Sequence, residues 1–195
     1  DLVPRLLADF ARQRPDCQFL LRRGDSAKVH EMLRGGQIAV GFVGMRMDEK
    51  AFRYMPLQED HLVLAAENSP RIRALPADAG LELLLREPVI AREAHSGTWL
   101  ETEKWLRGQG ILPESLHILA RMENPDAIRR AVAQGMGVSV LSSLVVQEDV
   151  AAGRLRTFEL GQGAWRQICM VLPKKGQLTA TQKAFADFAQ QRAAL

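Results

Sequence analysis

Asn124-Pro125-Asp126-Ala127-Ile128-Arg129-Arg130-Ala131-Val132-Ala133-Gln134-Gly135-Met136-Gly137-Val138-Ser139-Val140-Leu141 reads as a helix, a tight turn and a strand, in that order. Asn124 suits the N-cap and Pro125 the first helical position. Asp126 falls in the first turn, where a carboxylate complements the helix dipole. Gly135 stops the helix, and Gly137 closes the turn before an apolar strand over 138–141. A G-x-G that follows a helix and opens a strand reverses the order a dinucleotide site needs, so it is no cofactor fingerprint.

The alternation of strand and helix continues on both sides. Strands over 89–92 and 116–120 flank a helix over 98–107. Downstream lie a helix over 143–151, strands over 155–160 and 168–172, and a last helix over 181–192 presenting Ala184, Phe185, Phe188 and Ala189 to a core. Upstream, the apolar run 38–43 reads as a strand buried on both faces, as in parallel sheets. Two more strands follow over 52–57 and 61–66. Ser26 is placed to cap a helix that buries Val29, Met32 and Leu33. A short strand holds Phe19 and Leu21, and the chain opens on a helix carrying Leu2, Leu6, Leu7 and Phe10 on one face, closed at Pro15. The segment 68–79, rich in Pro, Ala and charge, reads as a crossing point between two lobes. Strands alternating with helices predict an α/β fold with parallel sheets.

Length and charge narrow the function. The chain has 195 residues, enough for one large domain or two small lobes. Its 26 Lys and Arg nearly balance 23 Asp and Glu, and they are scattered rather than gathered into a basic stripe. Nucleic-acid binding by this segment itself is therefore not expected. Cys17 and Cys169 lack any C-x-x-C spacing and read as two reduced thiols, which favours a reducing, cytoplasmic compartment. No apolar run approaches the roughly 18–20 residues of a membrane helix, and the opening residues show no signal-peptide pattern. A first residue of Asp rather than Met reads as a piece of a larger protein.

The loop Arg92-Glu93-Ala94-His95-Ser96-Gly97-Thr98 joins an apolar strand to a helix, at the strand end where open α/β sheets bind ligands. Thr98 followed by Glu101 matches a capping box, and Gly97 lets backbone approach a guest. Helix-start N–H groups with the Ser96 and Thr98 hydroxyls would cradle an anion. The competing reading is that these hydroxyls only cap their own helix. The same holds for Asn124, where capping is the stronger reading. His30, His61, His95 and His117 share no metal-ligand spacing, and the adjacent His95 and Ser96 have no acid partner to complete a nucleophile. Neither metal, cofactor nor catalysis is expected.

The whole chain resembles the effector-binding domain of LysR-type transcriptional regulators. The likeness shows in Leu2-Val3-Pro4-Arg5-Leu6-Leu7-Ala8-Asp9-Phe10, in Gly24-Asp25-Ser26, in Val40-Gly41-Phe42-Val43-Gly44 and in Pro56-Leu57-Gln58-Glu59-Asp60-His61-Leu62-Val63-Leu64. It continues through residues 93–98, Ala127-Ile128, Ala131-Val132, Gly135-Met136-Gly137-Val138, Ala152-Gly153-Arg154-Leu155 and Phe185. The resemblance implies two Rossmann-like lobes joined by two crossover strands, a periplasmic-binding-protein-like fold of type 2. It implies lobes at 1–66 with 169–195 and at 67–168. It also implies a small-molecule effector held between them by Ser96, Gly97, Thr98 and Asn124 from one lobe and Gly44 and Met45 from the other. The protein would then act as a homodimer or homotetramer, its opening helix packing on a partner, away from membranes. Promoter DNA would be reached only through an N-terminal winged helix-turn-helix that this chain lacks. The family's first strand, before the Pro4 helix, is missing too. The rival readings are an exported solute-binding protein of the same fold and an enzyme built on that scaffold.

Overall fold

Phe52, Met55, Leu57, Asp60 and Leu62 turn inward along one sixteen-residue strand that serves both of the units into which the chain divides. The computed structural model describes residues 2–193. Its first unit is made of two separate stretches, up to Glu59 and from Gln167 onward; its second runs unbroken from Asp60 to Arg166.

The elements are α1 (Leu2–Gln13), α2 (Ser26–Arg34), β1 (Gly41–Val43), β2 (Phe52–Glu67), α3 (Pro70–Arg73), α4 (Gly80–Arg86), β3 (Val89–Arg92) and α5 (Gly97–Gly108). After a single 3-10 turn, Pro113–Ser115, come β4 (Ile118–Met122), α6 (Pro125–Ala133), β5 (Ser139–Ser142), α7 (Ser143–Ala151), β6 (Leu155–Glu159), β7 (Trp165–Pro173) and α8 (Ala180–Ala193).

Two apolar clusters hold the first unit. Leu6 and Phe10 of α1 meet Met55, Leu57, Met170, Leu172 and Phe185, with the Phe10 and Phe185 rings edge-to-face at 5.3 Å. Val29, Met32 and Leu33 of α2 pack on Val43, Phe52, Cys169 and Val171. The run 38–43 forms a strand only over Gly41–Val43, and it pairs antiparallel to β7, not parallel, with Gly41 opposite Val171. A Cβ on Gly41 would stand 2.6 Å from Val29 Cγ1, so α2 can lie this close only over a glycine. The expected strand at Phe19 and Leu21 carries no ladder, because among the described residues nothing pairs with it; Leu20 and Leu21 are exposed. Asp25, not Ser26, caps α2, its Oδ1 accepting from the Lys28 N–H at 2.7 Å. Cys17 and Cys169 are both unpaired.

In the second unit β2 is flanked antiparallel by β5 (Leu62 opposite Ser142) and β6 (Val63 opposite Glu159). Among the described residues, parallel pairing is confined to β3 with β4 and to a single bridge from Val89 to Val138. One core gathers Leu62, Leu64, Leu84, Trp99, Trp105, Leu106 and Phe158; another gathers Val63, Ile90, Ile128, Val132, Leu141 and Leu155. Residues 68–79 are no crossing point. They fold into the second unit, with Ile72 buried and the Arg156 guanidinium donating to the Leu75 carbonyl at 2.8 Å. Helix α4, unforeseen in the sequence, buries Leu83 and Leu84. Among the described residues no helix is long and apolar enough to cross a membrane.

Candidate functional site

Strand β3 ends at Arg92, and the chain turns through four residues into α5. Ser96 is the N-cap, its Oγ accepting from the Trp99 N–H at 3.0 Å. The expected capping box on Thr98 and Glu101 is therefore displaced by two residues. Thr98 lies inside the first turn, and the Glu101 carboxylate faces Lys104 at 3.4 Å.

Freed from capping, the Thr98 hydroxyl has another role. It is buried, and its Oγ1 accepts from Arg166 Nη1 at 3.0 Å. Arg166 Nε donates to Asp60 Oδ2 at 2.8 Å, and Ser142 Oγ donates to Asp60 Oδ1 at 2.6 Å. Asp60 is only 1% exposed. A buried carboxylate needs such partners, since isolation would cost several kcal/mol. Ser142 heads α7 yet makes no side-chain cap bond, because its hydroxyl is turned onto Asp60.

The direction of these bonds determines what the site can hold. A guanidinium only donates, so Thr98 Oγ1 must accept from Arg166, and its own proton has no acceptor among the described residues. Ser96 likewise accepts from Trp99, with its proton unspent. The N–H groups of Gly97 and Thr98 belong to the first helical turn and have no intrahelical partner. Donors thus collect at the positive end of α5, an arrangement complementary to an oxyanion.

The other expected site residues fall elsewhere. Asn124 is the exposed N-cap of α6, its Oδ1 accepting from the Asp126 N–H at 2.9 Å. No hydrogen bond joins it to residues 96–98, although Arg121, at the end of β4, donates to the Arg92 carbonyl at 3.0 Å and lies 4.6 Å over the Trp99 ring. Gly44 and Met45 belong to the first unit, in the loop that follows β1. That loop is anchored at Met47, whose N–H donates to the Tyr54 hydroxyl at 2.9 Å and whose carbonyl accepts from it. Burial pushes the Tyr54 hydroxyl above its ordinary pKa. His30 completes the anchor: its Nδ1–H donates to the Ser26 carbonyl at 2.5 Å, and Tyr54 Oη, 2.6 Å from its Nε2, shares its one proton between that nitrogen and the Met47 carbonyl. Tyr54→Phe should therefore cost about 1–3 kcal/mol and speed amide exchange at Met47, with exchange at Ser96 unchanged. Equal exchange at Met47 in the two proteins would show that the hydroxyl is no anchor.

Asp60, Ser142 and Arg166 were not singled out in the sequence. They are far apart along the chain and form no motif; the one signal was an acidic residue at an inward position of an apolar strand. Ser96 Oγ is bonded to Trp99 and not to His95, and among the described residues no three His, Cys, Asp or Glu side chains gather as a metal site.

A family model described as the LysR substrate binding domain matches residues 1–194. Over 189 residues the chain is 32% identical to the phosphonates import ATP-binding protein PhnC of Anaeromyxobacter dehalogenans, covering 96% of this chain and 38% of that protein. It is 26% identical to the HTH-type transcriptional activator CmpR of Synechocystis sp., covering 95% of this chain and 60% of the relative. The effector-binding domain of QuiR in complex with shikimate superposes with a TM-score of 0.82 at 20% identity, covering 98% of this chain and 90% of that one. The fold is thus mixed α/β and periplasmic-binding-protein-like, of type 2. The chain spans between about two fifths and three fifths of these two curated relatives.

Proposed function

Because this chain belongs to the LysR substrate binding domain family, we propose that it is the ligand-sensing part of a bacterial transcriptional regulator and that its effector carries an oxyanion. The observation that carries the ligand class is the bond from Arg166 to Thr98, which leaves the Thr98 proton, like the neighbouring helix-start N–H groups, uncommitted within the chain. Ser96, Gly97 and Thr98 would hold the anionic group. Asn124, Gly44 and Met45 remain the other proposed contacts of the effector. In the longer protein, occupancy would alter a cytoplasmic homo-oligomer on promoter DNA, bound through a segment outside these residues. On this reading the domain performs no chemistry on its ligand.

Calorimetric titration with sulfate, methylphosphonate and shikimate tests the site. Hydrogen bonds to a charged group contribute about 1.5–3 kcal/mol, so Thr98→Val should weaken oxyanion binding roughly tenfold or more. Thr98→Ser should bind nearly as the parent does. Since Ser96 is the cap, Thr98→Val leaves the cap bond intact. If Thr98→Val binds every anion as tightly as the parent, the loop is a helix start and nothing more.

A second reading has its own support. The PhnC relative is matched over 96% of this chain but only 38% of its own length, as a sensing domain joined to a transport ATPase would be. On that reading methylphosphonate binds more tightly than sulfate and shikimate in the same titration.

A further inference from the structure

We propose that the first unit carries a second ligand pocket, separate from the oxyanion site, for a small amphipathic anion. The pocket is a cavity of about 950 Å³, walled by the last turn of α2, residues 36–39, the turn 48–52 and the segment 173–182. That volume lies within the roughly 300–1,000 Å³ typical of small-molecule sites. All of its walls belong to the first unit, whereas Ser96, Gly97 and Thr98 belong to the second.

Its chemistry is divided. Leu33, Ile38, Ala39, Phe52 and Leu178 supply an apolar lining. The charged groups at its rim are unequally committed. Arg34 is spent on Asp48 at 2.9 Å, and its guanidinium lies 5.3 Å over the Phe52 ring. The Asp48 carboxylate also accepts from the Ala51 N–H at 3.2 Å, and the Arg34 bond holds it below the usual carboxylate range. Lys174 donates to the Glu49 carbonyl at 2.7 Å and is not among the lining residues. Lys50 and Lys175 line the pocket, and their ammonium groups have no hydrogen-bond or ion-pair partner among the described residues. The sole carboxylate of the lining is already neutralised, so the two free ammonium groups set its sign. A fitting guest lays an apolar body on Ile38, Ala39 and Leu178 and turns a sulfonate or carboxylate to the lysines. Sulfate alone lacks the body, and an uncharged aromatic lacks the head.

The test is a nitrogen–proton NMR titration of the 195-residue chain with naphthalene-1-sulfonate, with sulfate and naphthalene as controls. Saturable shifts are expected at residues 37–39, 50–52 and 176–179, with naphthalene-1-sulfonate and with neither control. Lys50→Glu combined with Lys175→Glu changes only exposed side chains, so it should fold as the parent and bind the probe at least tenfold more weakly. Thr98→Val should bind it unchanged, which keeps this result separate from that of the oxyanion site. Shifts confined to residues 96–98, shifts that never saturate, or undiminished affinity in the double variant would each overturn the proposal.

Discussion

Asp60→Ala is expected to destabilise the second unit by about 3–5 kcal/mol, the usual cost of removing one partner of a buried ion pair. The substitution leaves the Arg166 guanidinium, 15% exposed, without its carboxylate, and the Ser142 hydroxyl without its acceptor. The Thr98 bond cannot compensate, because a neutral hydroxyl does not balance a desolvated charge. Urea unfolding followed by tryptophan fluorescence reads the effect, since Trp99 and Trp105 are both buried in this unit. Replacing both members, Asp60→Leu with Arg166→Leu, should recover much of the loss, because no charge is then stranded. The double variant should still bind oxyanions poorly, since nothing orients the Thr98 hydroxyl. A loss below about 1 kcal/mol in Asp60→Ala would remove the ion pair from any account of this unit's stability.

Gly137→Ala should be of comparable severity, about 3 kcal/mol or more, from steric overlap and backbone strain together. A Cβ at Gly137 would stand 2.2 Å from the Pro88 carbonyl oxygen, and the residue sits at φ +153°, where side chains are rarely tolerated. Neither partner can yield cheaply. The Pro88 carbonyl accepts from the Val138 N–H at 2.8 Å, and the Val138 carbonyl accepts from Ile90 at 2.9 Å. Moving the turn would break the backbone bonds that tie Val138, at the entrance to β5, to Pro88 and Ile90. Gly161→Ala is the control: φ there is +77°, but nothing lies within 4 Å, so only about 1–2 kcal/mol of conformational cost is expected. Similar unfolding midpoints for the two variants would mean that the turn adapts and the overlap is relieved.

Local structure was the part most legible in the sequence. Asn124, Pro125 and the two glycines marked both ends of α6, because each acts through its own backbone within a few residues. The β3-to-α5 loop was equally clear as a strand end meeting a helix start. Its fine placement was not: Ser96 and Thr98 are both adequate caps, and burial of Thr98 beside Arg166 decided between them. Asp25 and Ser26 posed the same ambiguity one residue apart. Pairing across long separations was opaque. An apolar run such as 38–43 suits either strand direction, and its antiparallel partner at residues 169–171 is set by topology. Helix α4 escaped notice because Leu81, Leu83, Leu84 and Leu85 crowd together without a clean face. Asp60 and Arg166 lay beyond any local pattern, which is why the group that orients Thr98 came from the structure alone.

That same ion pair bears on how the polypeptide reaches its native state during synthesis. Asp60 and Arg166 are the first and last residues of the second unit, and their side chains are joined at 2.8 Å. The first unit cannot finish when its N-terminal stretch leaves the ribosome, because β1 must wait for β7, well over a hundred residues later. The second unit is contiguous and can complete itself in the interval. Once it has, its ends are clasped, and the long intervening loop is closed before the first unit needs it closed. The entropy of bringing those strands together is thus met within the earlier folding event. A released chain ending at residue 166 should already protect the amides of β5 and β6 while leaving those of β1 open to exchange.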